Sequence, residues 1–234
     1  MKFENTEVWG FRHAIRGMRN PMKSWEHSDS YVNEDGKWIV GADDQRLMKL
    51  LIKAGASDRK FLRQIFVSVD IEASLYWWKE FDTYKVGTVA NSESTMHKLA
   101  TTPITFGCFE TDDMYNIDIT DNIKVANWVS INIKMLERLR EKYLETKDKK
   151  YWKELIRWLP ESWLQKRTVT MSYENIRNMI AQRRNHKLNE WSGKDNASLT
   201  NFIKWAHSLP YADILLFDEN PGSMEVKDLG TSSH

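Results

Sequence analysis

The chain predicts a helix-rich α+β protein, a single domain over residues 1–217 with a small central sheet of antiparallel or mixed strands. Three observations carry that prediction. QIFVSVDI sets Ile65, Val67, Val69 and Ile71 on one side and Gln64, Ser68 and Asp70 on the other, broken only by Phe66, which is the period of a half-buried strand. From Asp121 to Glu145, residues Ile123, Val129, Ile133, Leu136, Leu139 and Tyr143 recur at helical spacing. No internal repeat and no long linker divides the 234 residues.

The elements follow in order. TEVWGFRHAIRGM reads as a short strand entering a loop or helix, and residues 19–38, broken by Pro21 and Gly36, read as a surface loop. Asp43 or Asp44 is the expected cap of a helix whose Leu47, Leu50, Leu51 and Ala54 share a face and which ends at Gly55. Ser57 is the expected cap of a second, short helix around Phe61. After the 65–71 strand, residues 72–82 return to a helical pattern, and TTPITFGCF reads as irregular or briefly extended. KKYWKELIRWL is amphipathic and stops at Pro160, and KRTVTMS predicts a second strand. A helix then starts at Ser172 with Ile176, Met179 and Ile180 inward and runs through QRRNHKLNEW. Residues 199–208 form another helix, LPYADILLF closes the ordered part, and the polar tail 218–234 is expected to be disordered.

Composition limits function. Lysine plus arginine number 34 against 33 aspartate plus glutamate, so no overall basic field draws the chain to nucleic acid or membrane. An anion must therefore be held by local cations. The single cysteine, Cys108, excludes an intramolecular disulfide and a multi-cysteine zinc site, and fits a reducing cytosol. There is no apolar run long enough for a bilayer and no signal-peptide core at the start, so a cytoplasmic protein is expected. Eleven tryptophans leave two readings open: packing, or stacking on a planar ring such as a flavin or nucleobase.

No common phosphate-loop, hydrolase or zinc motif occurs, and six scattered histidines give no metal cluster. Arg177, Arg183 and Arg184, with His186 and Lys187, stand either as a solvated helix end or as a phosphate clamp. Arg12, Arg16 and Arg19 carry the same ambiguity. The stretch EFDTYKVGTVANSESTMHK follows two tryptophans and packs short hydrogen-bonding side chains, with His97 among them, beside an apolar wall, as a polar-ligand pocket does.

The order of features resembles the flavin-dependent thymidylate synthase family over residues 8–191. That family runs from an LI-x-x-G helix end through a short helix and an FTF-like strand to R-H-R-x-x-S-x-N-x-x-S-x-R. Here the series is DDQRLMKLLIKAG, SDRKFLRQ, IFVSVDI, EASLYWWKEF and then the polar stretch. Further on, IRWLP, KRTVTM, SYENI and QRRNHKLNEW resemble the family's R-x-x-L-P, strand, N-x-R-x-L and L-R-x-x-x-x-A-Q. The signature itself departs. Thr83-Tyr84-Lys85, or Asp82-Thr83-Tyr84, stands for Arg-His-Arg. Thr88, Asn91 and Ser94 stand for Ser, Asn and Ser with one insertion, and Met96 or His97 replaces the last arginine. Ser172 replaces asparagine and Glu174 replaces arginine, while Arg183 is retained.

The resemblance implies C5 methylation of dUMP or a related one-carbon transfer, with methylenetetrahydrofolate as carbon donor, reduced FAD as hydride source and NADPH as reductant. It implies nucleotide binding by Arg183, Ser94, Glu93, Lys79 and Arg157, and cofactor binding by Tyr84, Lys85, Thr88, Asn91, Ser172 and Asn178. No catalytic nucleophile and no metal are assigned, and a homotetramer is expected. The alternative is a non-catalytic nucleotide-binding protein on the same fold. A single-stranded nucleic-acid binder is a third reading, which the near-neutral charge disfavours.

Overall fold

The computed structural model describes residues 1–111, 117–120, 123–195 and 199–217, so the tail expected beyond Phe217 and the Asp121 start of the long helix lie outside it. Strand β1 (Lys2–Trp9) turns into α1 (Phe11–Arg19) at Gly10, whose φ of 99° and 2.1 Å approach of a Cβ position to the Gln64 carbonyl admit only glycine. Residues 20–38 of the predicted loop are a surface segment, closed by the two-residue pair β2 (Tyr31–Val32) and β3 (Trp38–Ile39), whereas Arg19 belongs to α1 and is buried. Helix α2 (Ala42–Ala54) ends before Gly55 as read from sequence. Its inward face differs: Asp44 and Met48 are buried, and Leu50 is 59% exposed.

Asp44 is not a cap. Its carboxylate lies inside the protein, where it accepts from Arg19 Nε at 2.6 Å, Ser28 Oγ at 2.7 Å and Ser30 Oγ at 2.6 Å. The start of α2 is capped instead from a distance by Asp29, which accepts from the backbone N–H groups of Asp43 and Asp44 and is held below its ordinary pKa, chiefly by the first. Nor does Ser57 cap the next turn. A 3₁₀ segment, Arg59–Gln64, begins after Asp58 and buries Phe61 and Leu62.

The period-two pattern becomes β4 (Phe66–Ser74), which runs three residues past Ile71 before α3 (Leu75–Phe81) begins. The polar stretch then forms a strand, β5 (Thr88–Ser92), and a short helix, α4 (Thr95–Thr101), neither of which the sequence pattern predicts. Beyond a hairpin of β6 (Asp118–Thr120) and β7 (Ile123–Lys124) come α5 (Val125–Thr146) and α6 (Lys149–Arg157). Ile123 therefore lies in an exposed strand and not on the inner face of the long helix. Strand β8 (Leu164–Ser172) leads into α7 (Tyr173–Arg183) through a capping box between Ser172 and Asn175. The predicted long helix breaks after Arg184, and α8 (Asn189–Ser192) is separate. Helices α9 (Phe202–His207) and α10 (Ala212–Leu215) close the described chain.

The main sheet is antiparallel throughout, in the order β1-β4-β8-β5. One face carries Val67, Val69, Ile71, Val169 and Met171 into the larger core, against α1, α7 and α9. The opposite face is polar, with Asp70 accepting from Thr168 and Asn5. A second core of Leu99, Ile104, Ile133, Leu136 and Leu155 gathers under α4, α5 and α6. Tryptophans 77, 78 and 191 are fully buried, and Trp77 stacks on Trp191 at 4.5 Å, so these three serve packing. Among the described residues, no helix is long and apolar enough to cross a membrane.

Candidate functional site

The polar stretch after the tryptophans folds back along β8 because its backbone finds a partner there, Thr88 to Ser92 pairing with Met171 to Arg167. The fold-back is fixed at Gly87. Its φ is 74°, and a Cβ there would sit 3.0 Å from Asn175 Oδ1. Asn175 Nδ2 donates to the Val86 carbonyl at 2.7 Å, so the amide that closes the α7 capping box also anchors the turn. The result is a cavity of ≈ 340 Å³ lined by Phe81, Asp82, Tyr84, Lys85, Thr88 and Ala90. Three residues singled out by sequence, Tyr84, Lys85 and Thr88, thus line one cavity. Thr88 Oγ1 donates to the Tyr84 carbonyl, which locks the turn. Lys85 is exposed and pairs with no described residue.

Two arginines flank this cavity, and each has a carboxylate of its own. Arg167 pairs with Asp82 at 2.7 Å and lies over the Trp78 ring, 4.2 Å from its centroid. Arg183 donates from Nη1 to Glu80 Oε2 and from Nε to the Tyr84 hydroxyl, both at 2.8 Å. The same Glu80 oxygen accepts from Trp191 Nε1 at 2.8 Å and lies 3.2 Å from His186 Nε2. Tyr84 passes the chain on to Gln182 at 2.9 Å. Sequence reasoning missed Glu80, Asn175, Gln182 and Trp191. The one available signal was Arg183 itself, since a partly buried guanidinium requires an acceptor.

The other predicted residues are not gathered here. Asn91 is exposed on β5 opposite Thr168, and Ser172 serves the capping box. Glu93 donates its N–H to the Lys166 carbonyl, and Ser94 begins α4, accepting at its carbonyl from His97 and Lys98. Lys79 pairs with Glu161 at 2.5 Å, and Arg157 with Glu154, both on the surface. Of the N-terminal arginines, Arg19 is buried against Asp44, and Arg12 and Arg16 are exposed.

Asn178 faces a second cavity of ≈ 270 Å³, bounded by α7, α9 and the segment after α10. Arg177 and Arg184 line it too, two helical turns apart on one face, whereas Arg183 is turned about 100° away. The arginine cluster of the sequence therefore serves two places. Among the described residues, no group of three His, Cys, Asp or Glu side chains is placed to hold a metal ion.

Fold and site together define a class: a helix-rich α+β protein with a four-stranded antiparallel sheet and a cation-bearing cavity where its edge strand begins. Solved structures share this fold. Two crystal structures of the flavin-dependent thymidylate synthase ThyX from Helicobacter pylori, each holding FAD and dUMP, match 93% of this chain and 98% of theirs. Their TM-scores are 0.64 and 0.61, and their identities 17% and 18%. No family model matches the sequence, and no curated protein matches it.

Proposed function

We propose that this chain is a flavoprotein that modifies a pyrimidine deoxynucleotide, transferring a one-carbon unit to C5 of dUMP or a close relative. The observation that carries the reading is the likeness of fold along nearly the whole chain to an enzyme solved with FAD and dUMP. The cavity after α3 supports it: Phe81 and Tyr84 offer ring surface, and Lys85 offers a cation for a phosphate. These residues fit one planar ring and one phosphate, and so would hold part of a flavin. When bound, a reduced flavin supplies hydride, with methylenetetrahydrofolate giving the carbon and NADPH restoring the flavin. The chain's own part is to place the rings, with Arg183 fixed by Glu80 and Tyr84 so that its second Nη1 N–H and its two Nη2 N–H groups remain for a ligand.

One observation favours a second reading, nucleotide binding without flavin. Both arginines beside the cavity are neutralised by carboxylates, Arg183 by Glu80 and Arg167 by Asp82. The remaining cation, Lys85, suits the single phosphate of a mononucleotide better than the diphosphate of FAD.

The test is to purify the protein natively, identify the small molecules released on denaturation, and follow thermal stability with FAD and with dUMP separately. Co-purified or stabilising FAD, together with tritium release from C5-tritiated dUMP in the full reaction mixture, is the expected result. Failure of FAD to bind overturns the enzyme reading, and dUMP stabilisation alone then selects the second. Lys85→Ala should weaken binding of the ligand that fills this cavity, FAD in the first reading and dUMP in the second, about tenfold or more, the loss of one charge-assisted contact, with the melting temperature of the free protein nearly unchanged.

A further inference from the structure

The second cavity lies outside the proposed nucleotide site, and its lining has a definite chemistry. Its walls are largely apolar: Ile180 and Ala181 of α7, Ile203 of α9, and Leu216 and Phe217 at the end of the described chain. Into this setting the fold brings three arginines from two separate parts of the sequence, Arg59 and Arg177 with Arg184, together with the imidazole of His207.

Two of the arginines are held in place. Arg59 grips the Glu174 carboxylate with Nε and Nη2, at 3.1 to 3.2 Å. Arg177 is 5% exposed and donates from Nη1 to the Leu215 carbonyl at 3.1 Å. His207 is oriented as well, its ring stacked on Phe217 at 3.6 Å between centroids and its Nδ1 3.4 Å from Asp213. Arg184 differs from these. It is half-buried, lines the cavity, and pairs with no described residue. Its guanidinium thus keeps a full set of donors beside hydrocarbon walls, and the Asn178 amide lines the same cavity.

We propose that this cavity is a binding site for a small organic anion with an apolar body, a carboxylate or phosphate attached to a compact ring or branched hydrocarbon. The chemistry divides the ligand in two. Ile180, Ile203 and Phe217 remove the apolar body from water, and Arg184 takes the anion through its planar fork of N–H donors. Arg59 and Arg177 keep the cavity open at fixed width. A volume of ≈ 270 Å³ lies at the small end of ligand sites, too small for a dinucleotide. The inference does not depend on the flavin or nucleotide reading.

Benzoate is the probe, with benzyl alcohol as its neutral counterpart and inorganic phosphate as an anion without a body. Binding to the full-length chain is followed by calorimetry and by the shift in melting temperature. Benzoate is expected to bind and to raise the melting temperature, with benzyl alcohol and phosphate each at least about tenfold weaker. Arg184→Ala should weaken benzoate about tenfold or more, and Arg184→Lys should restore part of the loss. Ala181→Leu, which fills the cavity from its rim, should abolish benzoate binding and leave dUMP binding unchanged. Equal binding of benzyl alcohol would overturn the proposal, as would unaltered benzoate affinity in Arg184→Ala. Absence of benzoate binding also overturns it, including the case in which the chain beyond Phe217 fills the cavity. Competitive displacement of benzoate by FAD or dUMP would overturn the separateness of the site.

Discussion

At the scale of single residues, the informative side chains are those whose partners lie far away in sequence. Asp44 looks like a helix cap because aspartate before an apolar run is a good local rule. It sits instead fully buried, satisfying Arg19, Ser28 and Ser30, and the capping falls to Asp29. Replacing one member of such a pair leaves the other charge buried without compensation. Asp44→Asn keeps the shape and removes the charge, so Arg19, 5% exposed, loses its counter-ion. The expected cost is about 3 to 5 kcal/mol in urea unfolding, and the double change of Asp44 and Arg19 to apolar residues of similar volume should cost less than either alone. A loss below about 1 kcal/mol would show that solvent reaches the pair. The same non-local logic hid Glu80, which lies 103 positions before Arg183 and yet sets what that arginine has left to offer.

At the scale of elements, legibility followed periodicity. Strands β4 and β8 and helices α2, α5 and α6 were readable because burial on one face imposes period two or 3.6 on the residues themselves. Strand β5 was not, because its residues are polar and largely exposed and its existence depends on backbone pairing with β8. The break after Arg184 was hidden for a related reason, since KLNEW continues a plausible helical composition while Trp191 is drawn onto Trp77. Helix α5 holds a pH-sensitive staple. Glu137 of α5 accepts from Arg140 Nε at 2.8 Å and from the Ile104 backbone N–H at 2.7 Å, tying the segment after α4 to α5. The bond from the Arg140 guanidinium holds the Glu137 carboxyl below its ordinary 4.5, against the opposing effect of burial, with the Ile104 N–H adding to the lowering. A carboxyl depressed in the folded state stabilises above its unfolded pKa and loses that contribution as pH falls through the folded one. The wild type should therefore lose stability below pH 4.5, and Glu137→Gln should be less stable at pH 7 with a shallower acid limb between pH 4.5 and its folded pKa. Equal acid limbs in urea titrations of the two proteins would refute the staple.

At the scale of the whole molecule, the order of elements carried the fold, since nearly the full chain superposes on thymidylate synthase structures at only 17% to 18% identity. The ligands were less legible. The signature positions that would name them hold Thr83, Tyr84 and Lys85, and the second cavity draws on residues from Arg59 to Phe217 with no shared motif. What remains is assembly, and one helix face bears on it. Trp128, Ile131 and Met135 lie on α5 at three- and four-residue spacing and are 54%, 66% and 41% exposed, turned away from Ile133 and Leu136, which fill the second core. Ile119 and Ile123 of the β6–β7 hairpin are also exposed, at 54% and 48%. Monomers rarely leave so many large apolar side chains in water, and an interface between copies of the chain would bury those of the α5 face. Covering one such isoleucine contributes roughly 1.5 to 3 kcal/mol, and a buried unpaired carboxylate costs more. Ile131→Glu should accordingly shift sedimentation toward the 27.7 kDa single chain and weaken association at least about tenfold, while the fold of each chain, which does not use Ile131, survives by circular dichroism. A wild-type protein that sediments as a single chain at high concentration would remove the assembly reading, and with it any site that needs residues from a second copy.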